Sequence, residues 1–215
     1  MFKKLSASIF ALALVAGVFA PAQAQDTIAI HFDDGLGGGV QRFGNTGATP
    51  FNIVVITETS ENSSAAEFVI SELRVLFPGV FALATTKINN TPLDLGNNAI
   101  GEYVLAYTGC VPSGVAEIVR IQYGDFSGLI TNDVILQIRG LQPGDSVEST
   151  FGGEMGYIDC VDQGRTLSPA PWPSGTNIDP TKGPSGVPSG DGVCVLNADT
   201  VPNESDSVSS LKARF

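Results

Sequence analysis

The residues best suited to chemistry in this chain stand together near its start. His31, the sole histidine, is followed by Asp33 and Asp34 in the run HFDDG. An imidazole beside a carboxylate is the pairing of general-base catalysis, and H-x-D-D also presents hard oxygens to a divalent cation. The same run closes a strand with an Asp-Gly turn, which is the ordinary use of that dipeptide. Calcium suits the oxygens better than catalysis suits the lone imidazole, so Asp33 and Asp34 are the metal candidates and no catalytic residue is assigned. Asp125, Asp145, Asp159, Asp162 and Asp191 are further loop carboxylates, but no run has the spacing of an EF-hand loop. Apart from that calcium, no cofactor is expected.

Other chemistry is excluded by spacing. The glycines of residues 35–39 (GLGGG) lack the lysine and the following helix pattern of a phosphate-binding loop. The run TFGGE at 150–154 is not a nucleophile elbow. Cys110, Cys160 and Cys194 include no C-x-x-C pair, and one histidine cannot complete a zinc set. In an oxidising compartment three cysteines make one disulfide, with three pairings open. Cys110–Cys160 is favoured because both cysteines stand at strand ends within the region that reads as folded. Tyr103, Tyr107 and Tyr123 fit a core better than a sugar-stacking platform. Trp172, flanked by prolines, is the ring expected at the surface as a sugar or peptide contact.

The elements that must position these residues are strands. The organising stretch is 117–149, in which Val119, Ile121 and Tyr123 alternate with Arg120 and Gln122. Val134, Leu136 and Ile138 then alternate with Ile135, Gln137 and Arg139. A period of two with β-branched residues marks strands with one buried face. Leu141-Gln142-Pro143-Gly144-Asp145 supplies turn chemistry after them. Further strands are expected over residues 26–32, 51–59, 65–77, 80–86 and 101–108, separated by Gly, Pro, Asn and Asp. This pattern predicts an all-β fold, a single antiparallel β-sandwich of about eight or nine strands, immunoglobulin-like, cohesin-like or jelly-roll. The body is expected over 25–167. Residues 168–191, rich in Pro, Gly and Ser, read as a loop or linker, and 192–215 as a strand segment returning to the body. Leu211, Ala213 and Phe215 alternate there with Lys212 and Arg214. An outer-membrane barrel ending in Phe215 is disfavoured by short strands and the absence of aromatic girdles.

The first 24 residues have the basic start, the apolar centre and the small residues before Ala24 of a bacterial secretory signal peptide, cut after that alanine. The expected location is therefore extracellular or periplasmic, with no transmembrane segment remaining. A formal charge of −11 makes the surface repel phosphate backbones, so nucleic acid is excluded as a partner.

Several short motifs together resemble a loosely defined group of short exported proteins of environmental bacteria. They are Ile30-His31-Phe32-Asp33, Gly109-Cys110, the G-Y-x-D-C run of Gly156, Tyr157, Asp159 and Cys160, and the closing run Ser209-Ser210-Leu211-Lys212-Ala213-Arg214-Phe215. The closing run lacks the tryptophan usual in that group. The resemblance implies a secreted sandwich, distantly similar to cohesin-like or immunoglobulin-like modules, and brings no catalytic residues. The expected function is that of a non-catalytic binding or structural module for an extracellular glycan, a protein or the chain itself. Two alternatives stand beside it. One is a self-assembling matrix or fibre subunit that uses Leu211, Ala213 and Phe215 in edge addition, and the other is a secreted carbohydrate-active enzyme.

Overall fold

The computed structural model describes residues 26–33, 40, 43–44, 50–71, 80–90, 93–125, 134–171, 192 and 194–196. The expected signal peptide, Asp34, Trp172, Leu211, Ala213 and Phe215 lie outside the described residues. The fold is all-β. Its strands are β1 (Thr27–Asp33), β2 (Phe43–Gly44), β3 (Phe51–Thr59), β4 (Ser63–Ser71), β5 (Val80–Lys87), β6 (Leu93–Asp94), β7 (Glu102–Val111), β8 (Gly114–Asp125), β9 (Val134–Arg139), β10 (Met155–Asp159), β11 (Gly164–Pro169) and β12 (Cys194–Leu196). Two short 3-10 turns, Ile88–Asn90 and Asn98–Ile100, flank β6. The described strands number 12, beyond the eight or nine expected, because β2, β6 and β12 have only two or three residues and leave no period-two signal to read.

Hydrogen bonding runs β2-β12-β9-β4-β10-β11-β1-β3-β8-β5, with β7 on the other edge of β4 and β6 beyond β7. The sheet curls on itself, so that β1, β3 and β8 face β4, β7 and β9 across one core. Inward residues from the first layer are Ile28, Ile30, Phe32, Ile53, Val55, Val119 and Ile121; the second contributes Phe68, Ile70, Tyr103, Leu105 and Leu136. The alternation read along β1, β3 and β8 is therefore the core pattern. Cross-strand partners supply the aromatic packing: Phe68 stacks on Tyr103 at 5.1 Å and Phe51 on Tyr123 at 5.8 Å. Burial pushes the phenols of Tyr103 and Tyr107 far up from their ordinary value.

The ladders are mixed rather than purely antiparallel: β1 pairs with β11, and β12 with β2, in parallel. Pro169 shows how β11 fits. It has no N–H, and the donors come from its neighbours, Ser168 N–H to the Asp26 carbonyl and Ala170 N–H to the Ile28 carbonyl, both at 2.9 Å. The first residues of the Pro-rich stretch thus belong to the sheet. Cys110, near the end of β7, is joined to Cys160, just after β10, with Cα atoms 6.0 Å apart.

Candidate functional site

Residues 140–154, between β9 and β10, form a strap over the outer face of β4 and β7. Its turns carry N–H groups with no ladder to satisfy them, and two glutamates supply acceptors from beneath. Glu67 on β4 and Glu102 on β7 are diagonal neighbours, since Glu67 faces Val104 and Glu102 faces Val69. They are 2% and 1% exposed. Glu67 accepts from Ser149 Oγ at 2.7 Å and from Thr150 N–H at 2.9 Å. Glu102 accepts from Ser146 N–H at 3.0 Å through Oε1, while its Oε2 meets no hydrogen-bond partner among the described residues. Buried carboxylates are costly unless satisfied, so the strap and the two glutamates stand or fall together.

The strap is tightened from both ends. Arg139 donates to both oxygens of Asp145, at 2.6 and 3.0 Å, and Gln142 N–H donates to Asp145 Oδ2 at 2.7 Å. The guanidinium foremost, then that amide, hold the Asp145 carboxyl below the usual carboxylate range. Ser149 Oγ accepts from Phe151 N–H and Gly153 N–H. The Phe151 ring lies on Gly156, where a Cβ would come within 2.4 Å of it, so the glycine of the G-Y-x-D-C run is a seat for the strap. Between Leu141, Pro143, Val147, Glu148 and Gly152 the strap encloses a cleft of about 410 Å³.

Beside the strap lies an aliphatic surface. Leu93 faces Ala106, and Leu95 N–H donates to the Val104 carbonyl, so both leucines stand on the outer side of the β6-β7 pair. Asp94, between them, faces the other way; its carboxylate accepts from Gly96 N–H, Val104 N–H and Lys87 Nζ. Ile100, in the following 3-10 turn, completes the group, and Leu93, Leu95 and Ile100 are 48%, 59% and 51% exposed. Asn97 caps that turn and reaches the strap through Ser146 Oγ at 3.5 Å. Gly101 closes the turn at φ 84°, and a Cβ there would meet the Ile70 carbonyl oxygen at 2.1 Å.

Of the residues singled out from sequence, Asp145 lies in the strap and the other described candidates sit elsewhere. His31 and Asp33 are on the outer face of β1, where Asp33 pairs with Arg120, itself bound to Glu117. Among the described residues no three His, Cys, Asp or Glu side chains are grouped to hold a metal. The G-Y-x-D-C run is structural throughout. Tyr157 donates to Asp26 at 2.7 Å, and burial, with that carboxylate, pushes its phenol up to about 12. Asp159 accepts from Val161 and Gln163 N–H and from Arg165, and the Gln163 amide foremost holds its carboxyl below the usual range. Glu67 and Glu102 were missed because a lone acid on an alternating strand reads as a solvent-facing position. The signal available was the Ser, Thr and Gly content of 144–153, a run of donors without a ladder.

No protein-family model and no curated protein matches the chain. Among solved structures it is similar to the cohesin module of a family 33 glycoside hydrolase from Clostridium perfringens ATCC13124, at 9% identity and a TM-score of 0.44, over 67% of this chain and 90% of that one. It is also similar to a non-cellulosomal cohesin from the hyperthermophilic archaeon Archaeoglobus fulgidus, at 10% identity and a TM-score of 0.43, over 67% of this chain and 86% of that one. At values this low neither ligand nor partner follows from the likeness.

Proposed function

We propose that this chain is an exported, non-catalytic β-sandwich module that binds another protein through the outer face formed by β6, the Asn98–Ile100 turn and the strap. The observation that carries this reading is the exposed aliphatic group Leu93, Leu95 and Ile100 set against a strap whose backbone is fixed by buried glutamates. Exposed apolar side chains on a pre-organised surface favour association, because little conformational entropy remains to be lost on binding. Branched aliphatic side chains do not offer the flat face on which a sugar ring stacks, so the chemistry favours a polypeptide over a glycan. The Cys110–Cys160 disulfide supports export to an oxidising compartment.

The test is affinity capture from the medium of producing cells with the chain from residue 25 onward, beside Leu95→Asp and Ile100→Asp. Each variant is first checked for an unchanged circular dichroism spectrum. The expected result is a polypeptide held by the parent chain and lost by both variants. Equal retention by the variants, or binding to a glycan panel that ignores them, would overturn the reading.

A further inference from the structure

The cleft enclosed by the strap has a chemistry of its own. Leu141, buried at its base, half-buried Val147 and exposed Pro143 make its walls aliphatic. Gly144 and Gly152 leave it clear, since no atom lies within 4 Å of either Cβ position. Gln142 reaches across to the Gly153 carbonyl at 2.8 Å and ties its two sides. A volume of about 410 Å³ admits an extended side chain. The charges around the cleft are unequal. Arg139 is engaged by both oxygens of Asp145, and Lys87 by Asp94. Glu148, an exposed residue of the cleft lining, enters no ion pair among the described residues. Aliphatic walls thus stand beside one carboxylate that lacks a counter-charge.

We propose that this cleft takes a lysine side chain of the docking polypeptide, its stem along Leu141, Pro143 and Val147 and its ammonium at Glu148. That the lysine belongs to a polypeptide rests on the docking face proposed above. Asn97 joins that face to the strap through Ser146, the neighbour of Val147. Lysine suits the cleft because it couples a long apolar stem to a compact charge at the tip. Arginine has the shorter apolar stem of the two. An acidic side chain would meet Glu148 with like charge, and an aliphatic one would leave that carboxylate uncompensated. The chain's net charge of −11 draws basic partners to the surface in general, and Glu148 sets where one positive charge comes to rest.

The experiment is an NMR titration of the isotope-labelled chain from residue 25 onward with Nα-acetyl-lysine amide. Nα-acetyl-norleucine amide, which has an aliphatic stem and no charge, is titrated beside it. The expected result is saturating amide shifts within residues 141–153. Affinity for the lysine compound should exceed that for the norleucine compound about two- to fivefold, the size of an exposed ion pair. Added salt is expected to narrow that gap. Glu148→Lys is expected to abolish the preference. Glu154→Lys, the same charge change on the strap but outside the cleft lining, is expected to keep it. Both positions are exposed, and the amide spectrum itself shows that each variant is folded. Equal affinity for the two compounds, a preference that survives Glu148→Lys or is lost equally in Glu154→Lys, or shifts that spare residues 141–153 would each overturn the proposal. Leu95→Asp is expected to bind the lysine compound as the parent does, so failed capture through Leu95 and a failed titration are separate results.

Discussion

At the scale of the residue, buried carboxylates decide how the outer face is built. Replacing Glu67 by Ala leaves Ser149 Oγ and Thr150 N–H without their acceptor, which costs about 1–3 kcal/mol for buried donors. Urea unfolding is expected to show that loss, with faster amide exchange over residues 149–153. Glu148→Ala, at an exposed position of the same strap, is expected to stay within about 0.5 kcal/mol of the parent. Asp145 and Asp159 set the acid response. Both carboxyls are held below their unfolded value, so both bind a proton more readily when unfolded. Their contribution is fully present above the unfolded carboxylate pKa of about 4 and is lost as pH falls through the folded values. The urea midpoint is therefore expected to fall between neutral pH and about pH 3. It should fall less in Asp145→Asn, which lacks that contribution at both ends of the range. An equal fall in the variant would remove Asp145 from this account. These acids were only partly legible in the sequence. Asp145 belongs to a Pro-Gly turn that could be read directly, whereas nothing local marks Glu67 and Glu102 as buried.

At the scale of the element, the strap and the β6 turn depend on close backbone approaches that only glycine permits. Gly101 combines a left-handed φ with the Ile70 carbonyl where a Cβ would be, and its own carbonyl accepts from Ile70 N–H at 2.8 Å. Gly101→Ala is expected to lower stability by more than about 1 kcal/mol and to loosen the Asn98–Ile100 turn, read as lost exchange protection at Ile70. Gly144, also at positive φ, has nothing within 4 Å of its Cβ position, so alanine there bears backbone strain alone and should cost less. The strands themselves were legible: residues 51–59 and 134–139 fall where period-two alternation put them, and 80–86 where the turn residues on either side bounded a strand. The span 65–77 was read as one strand, and β4 is described over Ser63–Ser71. The short strands β6 and β12 carry no pattern, because two or three residues are too few to show a period.

At the scale of the whole molecule, the Cys110–Cys160 link spans a sequence separation of 50 and ties the β7 edge to the β10-β11 hairpin. Removing it with Cys110→Ala and Cys160→Ala together is expected to cost about 2–5 kcal/mol, seen as a lower thermal midpoint without loss of strand content. An unchanged midpoint would mean that the unfolded chain is already constrained. By itself the sequence determined the strand class and the inward faces of the long strands, and among three open pairings it favoured Cys110–Cys160, the one the structure holds. Each of these rests on local periodicity or on the chemistry of a residue type, which neighbours in sequence reveal. The parallel pairing of β1 with β11, the burial of Glu67 and Glu102 beneath the strap, and the exposure of Leu93, Leu95 and Ile100 were decided by tertiary structure alone. Each depends on which segment far along the chain covers a given face, and a residue's surroundings at that distance leave no trace in its own stretch of sequence.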